Sequence, residues 1–232
     1  MTNVRMGLIR KKADWTGDAF DAYWRDRHGP LAARAPRLRG YWQNLVVDRV
    51  QRGIAFERGP WDVDGFSQLW FDDAEQSARA FGDGGLAAEL VQDEKHFLGG
   101  LHIVTAEQSV VIEPPGDAER AGLLKRMSLI RRLDALGEDD FRREWRIHGD
   151  LVRKMPGVAG YRQNAVVARE REKGTPCAYG DLPIDGIVEM WFQDAQTLQD
   201  AFASPAGQVT MAHAKTFLGD ITAFLVAERR IV

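Results

Sequence analysis

Cysteine is nearly absent from this chain of 232 residues, which contains only Cys177. A single cysteine excludes an internal disulfide and favours a reducing compartment, so we expect a cytoplasmic protein. No apolar stretch approaches the roughly 18 residues that a transmembrane helix requires, and the first residues lack the apolar core of a secretion signal. The sequence therefore predicts a protein that has no membrane among its partners.

The sequence also lacks a large net charge and the usual cofactor-binding motifs. The formal net charge is −3 and no long basic run occurs, so nucleic acid is not an expected partner. No group of His, Cys, Asp and Glu has the spacing of metal ligands, so no metal site is expected. The glycines at Gly82–Gly85 lack the G-x-G-x-x-G spacing, which argues against a nicotinamide or flavin site of the Rossmann type. We therefore expect no cofactor.

One motif is present twice. Residues 20–44 read FDAYWRDRHGPLAARAPRLRGYWQN, and residues 141–164 read FRREWRIHGDLVRKMPGVAGYRQN. Both contain Phe, Trp, His-Gly, Pro, Gly-Tyr and Gln-Asn in the same order, although the second copy lacks one residue between its Trp and its His. Such a repeat predicts two copies of one structural module.

The repeat divides the chain into a first module at residues 1–112, a linker at 113–122 and a second module at 123–232. In each module the apolar periodicity predicts the order β-α-β-β-α-β, which is the ferredoxin-like arrangement. A sheet with helices on one face needs a partner for its other face. We therefore predict an α+β fold in which the two modules pack sheet to sheet as an intramolecular barrel. Whether this fused barrel also forms a homodimer is left open by the sequence.

The pattern F-x-x-x-W…H-G, then P…G-Y-x-Q-N, then D-G…W-F, with F-L closing each copy, resembles the EthD domain. That family belongs to the dimeric α+β barrel superfamily, and the resemblance covers both halves of the chain. It implies a pocket between the sheet and the helices of each module, with the His and the Tyr of the motif pointing into it. It also implies the catabolism of small organic compounds, with an oxygenase as a partner.

Two histidines and two tyrosines are the predicted catalytic residues. An imidazole titrates near neutral pH, so His28 and His148 are predicted to move a proton. Tyr41 and Tyr161 are predicted to hold a developing enolate oxygen. The alternative is that each histidine only bonds backbone groups where helix and sheet meet, since a duplication also copies structural residues.

Further side chains are candidates for substrate binding. The set comprises four tryptophans, four amides that could orient the substrate or a histidine, and one pair at equivalent positions: Trp24, Trp145, Trp70, Trp191, Gln43, Asn44, Gln163, Asn164, Asp93 and His213. The tryptophans are more typical of a core than of an aromatic wall, and a surface position is favoured for Asp93 and His213. Glu189, which replaces Gln68 of the first copy, is predicted to pair with an arginine rather than to act as a base.

The favoured function is acid–base chemistry without a cofactor on a small cyclic or aromatic-derived catabolite, by isomerisation, dehydration or decarboxylation. The sequence leaves open whether both copies of the site are active or one copy alone. A second hypothesis is a non-catalytic accessory protein that binds a small molecule for a partner oxygenase. A third is a haem-binding barrel or an oxidoreductase, in which His28 or His148 would ligate the haem iron.

Overall fold

The computed structural model describes residues 2–82 and 85–232. The first half contains β1 (Thr2–Lys11), α1 (Gly17–Tyr23), a π-helical turn (Trp24–His28), α2 (Gly29–Ala32), β2 (Gly40–Asp48), β3 (Gly65–Trp70), α3 (Ala74–Gly82), α4 (Gly85–Phe97) and β4 (Leu98–Ile112). The second half contains α5 (Asp117–Arg120), β5 (Leu124–Arg132), α6 (Glu138–Val152), β6 (Gly160–Glu172), β7 (Thr175–Pro176), a 3₁₀ turn (Tyr179–Asp181), β8 (Gly186–Phe192), α7 (Ala195–Ala203), α8 (Pro205–Ala214) and β9 (Leu218–Arg230). The sequence predicts a break between two helices at Gly82–Gly85, and residues 83 and 84 of that break lie outside the described residues.

The strands form one antiparallel barrel. Neighbouring strands follow the order β4-β1-β3-β2-β9-β5-β8-β6, and β4 also pairs with β6, which closes the ring of eight. β2 of the first half pairs with β9 of the second, and β4 of the first half pairs with β6 of the second. The short strand β7 extends the sheet beyond β6. The predicted α+β fold with a closed barrel is thus confirmed.

Alternation along the strands decides which side chains enter the barrel. Val4, Met6 and Leu8 of β1 are buried in an interior core that also contains Met127 and Phe224 of the second half. Successive side chains of a strand point to opposite faces, so the residues between them face the helices outside the barrel. Each strand therefore has an interior face and a face that can line a pocket under the helices.

The extra residue of the first copy is absorbed by the π-helical turn Trp24–His28. The backbone N–H of Gly29 donates to the carbonyl of Trp24, which makes a turn one residue wider than an α-helical turn. The second copy, with one residue fewer, passes through the same region as the regular helix α6. Both histidines consequently arrive beneath the helices of their own half.

Some element boundaries differ from the sequence prediction. The sequence predicts the last strands to begin at His102 and Thr222, but they begin four residues earlier, at Leu98 and Leu218. Gly99 lies so close to the Lys11 carbonyl that an added Cβ would be 2.9 Å from its oxygen, so a glycine there permits strand pairing rather than breaking it. The predicted linker contains the short helix α5, whose Arg120 is buried against the Trp42 ring with 4.3 Å from its Cζ to the ring centroid.

Within the described residues, no helix is both long and apolar enough to span a membrane.

Candidate functional site

Each half of the molecule has a pocket between its helices and the outer face of its sheet. The N-terminal pocket is lined by side chains that include Arg5, Trp24, His28, Tyr41 and Phe97. The C-terminal pocket is lined by side chains that include Arg126, Trp145, His148, Tyr161 and Phe202. Each cavity has a volume of about 50 Å³, which is small for a ligand pocket. A substrate larger than a few atoms therefore requires side chains at the pocket to move.

In the N-terminal pocket, a carboxylate lies against the histidine. Nδ1 of His28 is 2.7 Å from Oδ2 of Asp93, and the other carboxylate oxygen accepts a hydrogen bond of 2.7 Å from the hydroxyl of Tyr23. The side chains of His28 and Asp93 are 10% and 13% exposed, so solvent screens the pair weakly. The prediction that Asp93 lies at the surface is wrong, because helix α4 turns this residue toward the histidine.

The charges of Tyr23, Asp93 and His28 leave one ring nitrogen of His28 free to accept a proton. Burial raises the pKa of Asp93, but the hydrogen bonds from His28 and Tyr23 outweigh it, and the pKa is lowered overall. Burial and the Asp93 carboxylate raise the pKa of Tyr23 to about 12, so Tyr23 remains a donor. An ionised carboxylate only accepts, so Nδ1 of His28 carries the proton in this arrangement. Nε2 is then the ring nitrogen with a free lone pair.

The C-terminal pocket has a second histidine where the first has the carboxylate. Nδ1 of His148 is 3.4 Å from Nδ1 of His213, and the rings are stacked with 5.6 Å between centroids. The carboxylate of Glu144 is 3.4 Å from Nε2 of His213, on the side away from His148. Burial, and to a smaller extent His213, lower the pKa of His148 from 6.5 to about 3. His148 is therefore neutral at physiological pH and a weak base. The surface position favoured for His213 is also wrong.

The two tyrosines are held identically. Nε2 of Gln43 donates to the carbonyl of Trp24 at 2.7 Å and to the hydroxyl of Tyr41 at 3.0 Å. Burial raises the pKa of Tyr41, and the donors Gln43 and Trp24 offset this only in part. Because its oxygen accepts from Gln43, the Tyr41 hydroxyl keeps its own proton for an acceptor in the pocket.

The same arrangement recurs in the second half. Nε2 of Gln163 donates to the carbonyl of Trp145 at 2.7 Å and to the hydroxyl of Tyr161 at 3.1 Å. Burial raises the pKa of Tyr161 to about 12. The glutamines thus orient the tyrosines rather than the histidines.

The asparagines of the motif lie on the other face of the sheet, inside the barrel. Asn44 donates to Gln68 at 2.9 Å and accepts from Lys125 at 2.8 Å, and Asn164 donates to Glu189 at 3.0 Å. The hypothesis that Asn44 and Asn164 orient the histidines is therefore wrong, because alternate residues of a strand face opposite ways. The ion-pair partner of Glu189 is Lys125, at 2.8 Å, and not an arginine.

The four tryptophans divide between the two faces. Trp24 and Trp145 are buried and line the two pockets. Trp70 packs partly buried against the interior core of the barrel, and Trp191 is fully buried and donates to Glu228 at 3.0 Å. Trp70 and Trp191 therefore belong to the barrel rather than to the pockets.

Sequence reasoning missed two residues of the N-terminal site. Tyr23 donates to Asp93 without lining the cavity itself, and Lys173 of the second half lines the cavity and pairs with Glu94. The position of Asp93 carries a signal, because Leu90 and Phe97 are buried at helical spacing on the same side of α4. Contacts between the halves, such as that of Lys173 with Glu94, cannot be predicted from the sequence pattern of either module alone.

Neither a metal nor a haem fits these pockets. In the ranges 2–82 and 85–232, no group of three or more His, Cys, Asp or Glu side chains could hold a metal ion. A haem requires room for a porphyrin macrocycle beside its histidine, whereas each cavity has a volume of about 50 Å³.

Comparison with known proteins gives one family and several relatives. The EthD domain matches residues 12–100 and again residues 133–220. A 4-carboxymethyl-4-methylbutenolide mutase from Pseudomonas reinekei is 25% identical over 107 residues, which cover 46% of this chain and 98% of that protein.

Solved structures resemble the chain over nearly its whole length. An anthrone oxidase-like protein superposes with a TM-score of 0.63 at 8% identity, covering 99% of this chain and 93% of that one. A chlorite dismutase from Candidatus Nitrospira defluvii superposes with a TM-score of 0.51 at 10% identity, covering 97% and 91%. At these identities the likeness concerns the barrel fold alone.

Proposed function

This chain belongs to the EthD domain family, and on that premise we propose that it is an acid–base enzyme of small-molecule catabolism. The reaction is an isomerisation, dehydration or decarboxylation of a small cyclic or aromatic-derived compound, with no cofactor. The observation that carries the proposal is the buried contact of 2.7 Å between His28 and Asp93 in the N-terminal pocket. The C-terminal pocket has no such pair and takes no part in the reaction.

Each group has one role in the proposed reaction. Nε2 of His28 removes a proton from a carbon next to the substrate carbonyl, and the imidazolium that forms is stabilised by the Asp93 carboxylate. Tyr23 holds Asp93 through its second oxygen. The hydroxyl of Tyr41 donates to the oxygen on which negative charge develops. The His28 imidazolium then returns the proton to another atom of the same intermediate, which completes an isomerisation.

The mutase relative favours an unsaturated lactone as substrate. Its name describes a butenolide ring with a carboxymethyl group and a methyl group. Because both substituents are on the same ring carbon, the ring double bond lies next to the lactone carbonyl, and the removable proton is on the carboxymethyl group, beside its carboxyl carbonyl. A hydrogen bond to the enolate oxygen that forms there helps a histidine to remove that proton. We therefore propose a butenolide-type lactone for this chain as well.

The domain limits remain proposals. The order of elements in each half supports two ferredoxin-like modules at residues 1–112 and 123–232, joined by residues 113–122. The oxygenase partner, the homodimer and the cytoplasmic location stay predictions.

Hydrogen exchange tests the proposed reaction even when the product is unidentified. A panel of butenolides and related lactones is incubated with the protein in D₂O, and NMR follows the loss of each acidic C–H signal. We expect His28→Gln to slow the catalysed exchange by about 10²–10⁴-fold, which is the usual contribution of a general base. His148→Gln is the matched control and should leave the rate within about twofold.

Two results would overturn the proposal. One is lactone binding with no exchange above the buffer rate, which would favour the accessory binding role. The other is an equal loss of exchange in His28→Gln and His148→Gln, which would remove the distinction between the pockets.

A further inference from the structure

We propose that the C-terminal pocket is a binding site for a small organic monocarboxylate with an apolar body, and that Arg126 receives the carboxylate. The site is separate from the His28–Asp93 pair and has no catalytic role. Its basis is a buried guanidinium that has no ion-pair partner among the described residues, in a pocket lined mostly by apolar side chains.

Arg126 is 3% exposed and lines the pocket from strand β5. Its Nη1 donates to the carbonyl of Arg52 at 2.9 Å, and its Nε donates to the hydroxyl of Ser128 at 3.3 Å. Its Cζ lies 5.0 Å from the centroid of the Phe202 ring. Among the described residues no carboxylate lies within 4.0 Å of the guanidinium, and Nη2 makes no hydrogen bond. A buried charge without a counter-ion is costly, so a ligand that supplies one binds favourably.

The N-terminal pocket provides the matched case. Arg5 occupies the same place on β1, with its Cζ 5.4 Å from the Phe81 ring centroid. Both of its terminal nitrogens pair with the carboxylate of Glu170, one of them at 2.7 Å. Val50 follows Asn44 by the same interval as Glu170 follows Asn164, and it is exposed and carries no charge. The chain therefore neutralises one of the two equivalent arginines and leaves the other for an external anion.

The charge around Arg126 defines the ligand. Burial lowers the pKa of Arg126 to about 10, so the guanidinium is still protonated at neutral pH. His148, on the same pocket, is neutral because its pKa is about 3. One fixed positive charge balances one negative charge, so a dianion such as phosphate would bury a charge without a partner. The planar guanidinium matches the planar carboxylate through two hydrogen bonds.

The rest of the lining selects an apolar body. Ile54 of the first half, Met155, Met190, Met211 and Phe202 surround the cavity. Its volume of about 50 Å³ holds a carboxylate group, and the remainder of the ligand requires these side chains to shift. Methionine side chains adapt readily because they are unbranched and flexible. A phenylacetate-like acid fits this description.

Methionine methyl NMR gives a local readout. Three of the six methionines line the C-terminal pocket, and the N-terminal pocket contains none. The intact protein carrying ¹³C-methyl methionine is titrated with phenylacetate, phenylacetamide and inorganic phosphate. We expect phenylacetate to shift the signals of Met155, Met190 and Met211 saturably while Met6, in the barrel interior, stays unchanged. The neutral amide and phosphate should bind at least about thirtyfold more weakly.

Substitution adds a second measurement. Arg126→Gln should weaken phenylacetate binding at least about thirtyfold. Arg153→Gln is the control, because it removes the same charge at an exposed position. Arg153 lies at the end of α6, and its ion pair with Asp150 is long, at 3.7 Å. If Arg126→Gln does not fold, the acid and amide titrations of the unsubstituted protein still decide. Equal affinity for the acid and the amide, no binding of phenylacetate, or shifts confined to signals outside the pocket would each overturn the proposal.

Discussion

The two pockets share their packing and differ in their charges. In both, a glutamine bonds a tryptophan carbonyl and a tyrosine hydroxyl, at distances that agree within 0.1 Å between Gln43 and Gln163. The histidine neighbours differ: Asp93 contacts His28, whereas His213 contacts His148. Duplication therefore preserved the scaffold while substitutions at single positions changed the chemistry.

In each pocket three side chains are in contact in a row that ends at the pocket histidine, and the position of the carboxylate in that row differs between the pockets. The N-terminal pocket has Tyr23, then Asp93, then His28. The C-terminal pocket has Glu144, then His213, then His148, so its carboxylate lies one residue further from the pocket histidine. A carboxylate in direct contact stabilises an imidazolium, and a second imidazole does not. The comparison indicates that the reactive pocket is distinguished by a carboxylate in contact with its histidine, since both pockets contain the histidine itself.

Among changes to the neighbours of the two histidines, the largest effect is expected from the loss of that carboxylate. Asp93→Asn keeps the size of the side chain and removes the charge that stabilises the His28 imidazolium. We expect kcat for lactone proton exchange to fall by about 10²-fold or more, with a smaller change in KM. His213→Asn is the control and should leave kcat unchanged. Equal kcat for Asp93→Asn and the unsubstituted protein would contradict the assigned role.

The converse substitution should make the second pocket resemble the first. In His213→Asp, a carboxylate replaces the imidazole beside His148, so the pKa of His148 should rise from about 3 by about 1–3 pH units. Titration of the His148 ring signals by NMR measures this change. An unchanged pKa would mean that burial alone determines the protonation of His148.

The free energy of unfolding should depend on pH through His148, and this effect should be smaller than those on kcat and on the pKa of His148. The folded-state pKa of about 3 is below the ordinary 6.5, so between these values the unfolded chain binds more protons at this residue. Its contribution to the free energy of unfolding is therefore complete above pH 6.5 and decreases as the pH falls towards 3. His148→Gln should flatten the pH dependence in urea unfolding over that range. The same slope in both proteins would contradict the lowered pKa.

The smallest effect is expected from removing the extra residue of the first copy. Asp26 is exposed within the π-helical turn, and within the described part of the chain its ion-pair partner is the exposed Arg25. Its deletion gives the spacing of the second copy, where a regular helix delivers His148 to its pocket. We expect the melting temperature to change by a few degrees at most and kcat by less than about threefold, since exposed ion pairs contribute little. A loss comparable to that of His28→Gln would assign the turn a role in catalysis.

Much of the fold was accessible from the sequence. The repeat, the alternation of Val4, Met6 and Leu8, and the need to cover one face of each sheet predicted the barrel. The early starts of β4 and β9 depend on Gly99 and Gly219, which lie close to the neighbouring backbone, and this contact does not show in the apolar periodicity. The helix in the linker was missed because Arg120, a polar residue, is buried through contacts with distant side chains.

The candidate site was accessible only in part. The repeated motif identified His28, Tyr41 and Gln43, since these lie within one local stretch of chain. The partner of His28 lies 65 residues away on another helix, so only the folded chain brings Asp93 to it. The difference between Arg5 and Arg126 depends on whether a carboxylate arrives from the other half, which no single module encodes.

The most direct test of the contrast between the pockets is the protonation of the two histidine rings, observed by ¹⁵N NMR of the unsubstituted protein. We predict that neutral His28 carries its proton on Nδ1, bonded to Asp93, with Nε2 unprotonated. We also predict that His148 stays neutral at about pH 5, because its pKa is about 3. A proton on Nε2 of neutral His28, or a charged His148 at that pH, would contradict the proposed division between a reactive and a non-reactive pocket.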